Sequence, residues 1–515
     1  MLFRSIDHAR DKLAERLREL PDGAWQEFQY IDNDGHRNEI YTISCALTKS
    51  GDRLCFDFTG TSANARGLIN STYSGLQAAV LSAVYINLCW DIPWNRGVLD
   101  CIDIISEEGT VNNCAYPAPC AMATISAVIV TIDISWRCLS HMLAASDRYR
   151  DQAMAVWSGT SMAPIFAGTS QHGFAFAATE MSHFGGGGGA RTYADGVDTA
   201  GIVFNTTPNM PNIEDQEAEY PVLYLFRRHL KDSGGPGRYR GGRSGELAYT
   251  MYGAPDDFLE GLFAGTGAEM PNAIGLGGGM PGAAIRIARV VDTDIARRID
   301  EGAALPASLE DIDGRLEVLA SKHERTPMAR GDVWYHSWQA GGGYGDPLAR
   351  ESVAVAEDVA RGAVSARIAH DVFGVELADD GSVDEDRTTA RRELIRKERL
   401  SRSRVPRGRS AWVFEGSGSH RYADCLVADL DHGQIRCGYC GHVHGAPGEN
   451  ILASLREFVT PMHAAGPVRG EDYDQGRFAL RHLCCGSCGA LVDVQVALDG
   501  VPSPSVRMHF GELQN

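Results

Sequence analysis

Four glycine runs, HFGGGGGAR, DSGGPGRYRGGR, GLGGGMPGAA and QAGGGYGDP, fall between Trp157 and Pro347 and constrain this chain more than any other feature. A residue without Cβ reaches positive φ at no steric cost and lets another backbone come close, so glycine runs break helices and mark turns and close approaches. They predict an irregular, strand-rich region over residues 150–347.

The runs do not read as nucleotide loops. HFGGGGGAR lacks the lysine and hydroxyl of GxxxxGK[ST], and no GxGxxG sits between a clear strand and a clear helix. Two readings remain for that run: backbone packed against backbone in tight turns, or the flexible rim of a substrate cavity with His183 and Arg191 as ligand contacts. In DSGGPGRYRGGR, Asp232, Arg238, Arg240 and Arg243 suit either a phosphate or carboxylate ligand or a loop fixed by an Asp–Arg pair. Glu214, Glu217 and Glu219 form an acidic cluster that suits a cation or, more simply, a solvated or Arg-paired face. WSGTS lacks the G-x-S-x-G frame, and no Ser-His-Asp order is recognisable.

Around the glycine region the patterns are regular. Ile6, Ala9, Leu13, Leu17 and Leu20 recur at helical spacing before PDG stops them. Residues 25–60 read as strands that turn at NDG and KSGD. Residues 75–90, 120–150 and 350–400 read as helix. The basic, Ser- and Pro-containing RKERLSRSRVPRGRS predicts a linker at 401–410. The fold class expected is therefore mixed α+β, with a glycine-rich domain over 1–400 and a small β-rich domain over 411–515.

Charge narrows the function. A net charge of -19 repels phosphate backbones and anionic lipid, which argues against nucleic acid as a partner. The N-terminus has no basic-then-apolar leader. The most apolar runs, LQAAVLSAVYINLCW and MATISAVIVTIDISW, fall short of the roughly 18–20 residues of a membrane span. A cytoplasmic protein without a membrane partner is expected.

Seven of the 13 cysteines are scattered through apolar stretches without a pairing pattern and read as buried thiols. The other six lie from Cys425 onward. There CGYC supplies Cys437 and Cys440, and CGSC supplies Cys485 and Cys488. Two C-x2-C turns complete a tetrahedral four-sulfur site suited to Zn²⁺, and four thiolates leave no open position, so the site is expected to be structural. The 44 residues between the knuckles exceed the roughly 15–20 of compact ribbons and require an inserted subdomain. Cys484 stands next to Cys485 as an alternative ligand, and His442 or His444 as a substitute for a thiolate.

In chain order, LPDGAW…FDFTGTSANARGLIN, NTTPNMPNIEDQEAEYPV, DSGGPGRYRGGR, GGGYGDPLAR and DVARGAVSARIAHDVFGV resemble the second half of the hydantoinase B/oxoprolinase B family, of the acetone and acetophenone carboxylase large-subunit type. The tail, CGYCGH…GENI…REFVTPMHAAGP…LCCGSCGALVDVQV, is similar to the small zinc-binding gamma subunit of the acetone carboxylase type. The resemblance implies an ATP-dependent complex in which a hydantoinase A-like ATPase subunit phosphorylates the substrate oxygen. A ketone would give a phosphoenol that captures CO2 from bicarbonate activated as carboxyphosphate. A lactam or hydantoin would be activated for hydrolysis.

The gamma-like tail favours the carboxylase branch over the cyclic amide hydrolases. ATP and a catalytic divalent metal are then expected on partner subunits. Family members carry a metal-binding N-terminal half ahead of the helix that opens this chain, so a separate subunit is expected to supply it. GLFAGTGAEMPNAIGLGGGMPGAA follows the family's PxGxxGGxPG region only loosely. A non-catalytic assembly subunit is the reading from a different class.

Overall fold

The computed structural model describes residues 2–206, 209–404, 419–468, 472–473 and 476–509. The apolar stripe of the opening segment makes helix α1 (Leu2–Arg18), with Ala9, Leu13 and Leu17 fully buried. Strands β1 (Asp22–Asp32), β2 (Ile40–Ser50) and β3 (Arg53–Asp57) follow as an antiparallel meander, and β1 pairs β2 from Gly23↔Lys49 to Asp32↔Ile40. Helix α2 (Tyr73–Leu88) carries the chain over to β4 (Ile102–Ile105), which lies parallel to β3.

Helix α3 (Ala127–Ala144) packs on β1, β2 and α2 and is buried on nearly every face, as a helix apolar all round should be. With the short turn before it, this helix runs over Ala123–Ala144, longer than the expected run. By length and composition it could cross a membrane, but 78% of its apolar window is buried inside the protein, where it forms the core of the first layer.

Two further sheets share a second core. One orders Arg315–Leu319, Arg286–Val291, Val333–Ser337, Gly245–Met251 and Val222–His229; the other orders Lys322–Ala329, Phe258–Gly265, Met162–Thr169 and Ala175–Thr179. Phe166, Tyr249, Phe263 and Trp334 fill the space between them.

The glycine runs meet the expectation of turns in part: Gly277 and Gly278 of GLGGGMPGAA and Gly345 of QAGGGYGDP take φ +62°, +98° and +75°. None of Gly186–Gly189, Gly234, Gly235, Gly241, Gly242 or Gly341–Gly343 has positive φ. They are segments lying side by side and bonded backbone to backbone: Gly242 N–H to Gly188 O at 2.8 Å, Gly341 N–H to Gly242 O at 3.0 Å, and Gly235 N–H to Gly341 O at 2.9 Å. A Cβ on Gly341 would stand 1.8 Å from Gly188 O, and one on Gly187 would stand 1.9 Å from Gly242 O. Glycine is required because each backbone occupies the space of its neighbour's side chain.

Residues 350–400 form helices Ser352–Ala360, Ala366–Asp371 and Glu385–Arg402, broken where Gly362 takes φ +71°. The last helix is capped by Asp384, which accepts from Arg387 N–H, and it continues through Ser401 and Arg402. Residues 405–418 lie outside the described residues, and with them most of the expected linker.

The tail builds two small sheets. One contains Ser419–Arg421, Leu426–Asp429, Gln434–Cys437 and Val443–Gly445; the other contains Arg456–Thr460, Phe478–Cys484 and Leu491–Leu498. The final strand, Ser505–His509, leaves both and pairs antiparallel with β1, Trp25 opposite Val506. One hydrophobic core runs from Leu13 and Trp25 through α3 to Leu480, Val494 and Met508.

Candidate metal centre

Each knuckle is the turn of a hairpin, and the two turns are built alike. The Cys437 carbonyl accepts Gly441 N–H at 2.8 Å while Cys437 N–H donates to His442 O at 2.8 Å. In the second, the Cys485 carbonyl accepts Gly489 N–H at 3.0 Å and Cys485 N–H donates to Ala490 O at 2.9 Å. Gly441 and Gly489 take φ +71° and +70°, which is why glycine follows each pair.

The turns face one another, and the four sulfurs of Cys437, Cys440, Cys485 and Cys488 all lie within 4.8 Å of one another. Cys437 and Cys488 are 3.8 Å apart, and Cys440 and Cys485 are 3.7 Å apart. A tetrahedral ion with metal–sulfur bonds of about 2.3 Å has sulfur–sulfur edges of about 3.8 Å, so donor set and spacing fit a metal ion. One knuckle comes from each tail sheet, and the cluster staples the two sheets together.

The knuckle amides prepare the sulfurs for negative charge. A hydrogen bond from Cys485, helped by His444 and by the Cys440 and Tyr439 N–H groups, holds the Cys437 thiol down to about 3 despite its burial. The bond to Cys437, and then burial, push Cys485 up, while burial pushes Cys488 up to about 11. A bound cation would favour the thiolate form at Cys485 and Cys488 as well.

Cys484 ends a strand, fully buried in the apolar core, and is not in the cluster. His442 and His444 pack edge to face at 5.0 Å beside the first knuckle and are not in the cluster either.

The structure places His183 and Arg191 in different settings, one buried and one exposed. His183 is buried in a short turn, its Nδ1 2.6 Å from Glu180 O, and burial lowers its ring to about 4. Arg191 is exposed and donates to Tyr193 Oη at 3.1 Å. Two of the three DSGGPGRYRGGR arginines find an aspartate far along the chain, Arg240 and Arg243 pairing with Asp198 at 3.1 and 2.8 Å, while Arg238 lies over the Tyr239 ring at 5.5 Å. Arg350 pairs with Asp195 at 2.6 Å and with Asp358 at 2.8 Å. Asp232 instead accepts Ser365 N–H at 2.6 Å. Glu214 and Glu219 are exposed on helix Ile213–Glu219, and Glu217 accepts Tyr224 N–H at 2.8 Å.

Sequence reasoning missed two buried arginines, Arg137 and Arg399, that bond the tail to the body, the first through Asp493 and the second through Gly489 O. Arg137, on α3, lies 2.7 Å from Asp493 and 3.0 Å from Glu27, and donates to Gly275 O at 3.1 Å. Burial alone would raise the Glu27 carboxyl, but Arg137 and His141 together outweigh it and hold the group below its ordinary range. An arginine inside the apolar DISWRCLS was the available signal, since a buried charge needs a partner. Arg399 likewise pairs with Asp346 of the GGGYGDP segment.

The hydantoinase B/oxoprolinase family model matches residues 2–347. The chain is 28% identical over 409 residues to the acetophenone carboxylase delta subunit of Aromatoleum aromaticum, covering 75% of this chain and 58% of that one. A nucleotide-free structure of acetone carboxylase superposes with a TM-score of 0.70 at 25% identity, covering 77% of this chain and 55% of that chain. The ATP-dependent caprolactamase of Pseudomonas jessenii superposes with a TM-score of 0.61 at 23% identity, over 75% of this chain and 62% of that chain. The chain thus spans little more than half the length of these relatives. With the match extending from the opening helix to the end of the glycine region, the chain belongs to the hydantoinase B/oxoprolinase family.

Proposed function

We propose that this chain is a subunit of a multi-chain ATP-dependent carboxylase that adds CO2 from bicarbonate to a ketone or related enolisable substrate through phosphorylated intermediates. The observation that carries the reading is the four-sulfur centre, fitted to Zn²⁺, built onto a hydantoinase B body. The likeness to acetophenone and acetone carboxylases supports it.

In this reading Cys437, Cys440, Cys485 and Cys488 hold a structural zinc, and residues 411–515 are a gamma-like module fused to the C-terminal half of a large subunit. A hydantoinase A-like subunit binds ATP. A separate subunit supplies the N-terminal half with its catalytic divalent metal, and the complex works in the cytoplasm. The part of this chain is to bind those partners and to keep its own body rigid.

Co-expression with an ATPase subunit and a metal-binding subunit tests the reading. ATP hydrolysis should require both bicarbonate and a ketone. Hydrolysis that instead requires a lactam or hydantoin would assign the chain to the cyclic amide hydrolases, a branch favoured by the fold match to caprolactamase. Full activity in a complex lacking this chain would make it an assembly protein.

A further inference from the structure

The seven cysteines outside the tail carry no pairing pattern in sequence, yet the fold brings two of them together at the surface. Cys114 Sγ and Cys120 Sγ lie 3.4 Å apart, and both residues are half-buried. The five residues between them form a projecting tip on which Tyr116 is 99% exposed. The ends of the tip are pinned to the body: Cys114 N–H donates to Ser71 O at 2.8 Å, Asn70 Nδ2 to Pro119 O at 2.9 Å, and Met122 N–H to Leu68 O at 2.9 Å. The two sulfurs are therefore held side by side by the fold.

A second pair provides the contrast. Cys45 and Cys138 also share a thiol hydrogen bond, but both are fully buried in the first core, out of reach of any solute.

We propose that Cys114 and Cys120 form a reversible dithiol/disulfide site that exchanges with low-molecular-weight disulfides such as glutathione disulfide. One protein thiolate attacks a glutathione sulfur; that S–S bond breaks, and one glutathione leaves and takes up a proton. The second cysteine then attacks the protein-bound sulfur of the mixed disulfide. The Cys114–Cys120 bond forms, and the second glutathione leaves as a thiol. Two protein thiols are oxidised by two electrons, one glutathione disulfide is reduced to two glutathiones, and both protons end on glutathione. Burial and the bond to Cys120 push the Cys114 thiol up to about 11, so proximity rather than a standing thiolate at Cys114 favours closure. The closed ring locks the Tyr116 tip.

The test uses the full zinc-loaded chain, equilibrated with reduced glutathione or with glutathione disulfide, then alkylated after unfolding and digested with trypsin. Residues 97–137 contain Cys101, Cys114 and Cys120 with no internal Lys or Arg, so all three report on one peptide. After glutathione disulfide the peptide should carry one alkyl group, on Cys101, at a mass two hydrogens below that of a singly alkylated peptide with two free thiols, and dithiothreitol before alkylation should restore three alkyl groups. Cys114→Ser and Cys120→Ser should each stop at a glutathione adduct on the remaining cysteine, with zinc content and circular dichroism unchanged. Three open thiols after oxidation, a ring that includes Cys101, or oxidation of Cys45 and Cys138 at the same rate would each overturn the proposal.

Discussion

Arg399 clasps Asp346 in a two-point ion pair, at 2.8 and 3.1 Å, with both side chains buried. The same guanidinium donates to Gly489 O at 3.2 Å, and Asp346 accepts Leu491 N–H at 2.9 Å. Gly489 follows Cys488 directly, so this pair ties the second knuckle to both the glycine region and helix Glu385–Arg402.

Removing one partner of that pair leaves a buried charge alone. Arg399→Met is expected to destabilise the protein by about 3–5 kcal/mol, against about 1 kcal/mol or less for an exposed pair such as Arg361–Glu357. Urea unfolding of Arg399→Met and Arg361→Met measures the difference. Because Arg399 also holds the second knuckle, the zinc affinity of Arg399→Met should fall as well.

The metal cluster should stabilise more than the tail. Its loss frees the two tail sheets from each other, and strand Ser505–His509 then has less to hold it against β1. Cys437→Ser combined with Cys485→Ser, or a strong chelator acting on the wild type, should abolish stoichiometric zinc. Either should also lower the melting temperature of the whole chain in calorimetry. Retained zinc in the double variant would refute the four-sulfur assignment.

The glycine layers tolerate no side chain. Gly341→Ala would press a methyl against Gly188 O and Gly188 C, both backbone atoms of a neighbouring segment. The expected loss is at least about 3 kcal/mol, or failure to accumulate as folded protein. Gly302→Ala meets nothing within 4 Å and pays only for its φ of +64°, about 1–2 kcal/mol. Soluble yield and thermal unfolding of the two variants compare the effects.

Two buried histidines should make the fold acid-sensitive. Burial lowers His183 to about 4 and His336 to about 3, against about 6.5 in the unfolded chain. Their contribution is complete above pH ~6.5. As pH falls below that value, the unfolded state takes up protons that the folded rings refuse, and each ring removes about 1.4 kcal/mol per pH unit until its folded value is reached. His336 stacks 5.6 Å from Tyr249 and lies tilted 5.0 Å from Phe263, and among the described residues neither ring nitrogen has a hydrogen-bond partner. His336→Phe should therefore preserve stability at about pH 7 and flatten the loss toward about pH 5, as read by urea unfolding at both.

Much of the local structure was legible in the sequence because it depends on neighbours in the chain. The stripe of Ala9, Leu13 and Leu17 predicted α1, and NDG and KSGD placed the turns between the first strands. The meeting of four sulfurs was legible for the same reason: a C-x2-C turn followed by glycine fixes two sulfurs on one side of a hairpin. His183 and Arg191 carried no comparable pattern, only a place beside a glycine run, and the fold puts one in the interior and leaves the other exposed.

The sequence by itself determined which sulfurs can meet a metal, where the regular elements lie and which family the motifs resemble, since each rests on spacing within a few residues. Only the tertiary structure decided what the glycines are for, because their reason lies in other segments: Gly341 is glycine on account of Gly188. Tertiary structure likewise decided that Arg137 meets Asp493 across 356 residues, and that the last strand of the tail completes the first sheet of the body. A buried charge must find its counter-charge and an open sheet edge must find a strand, but the chain's folding in space chooses which ones.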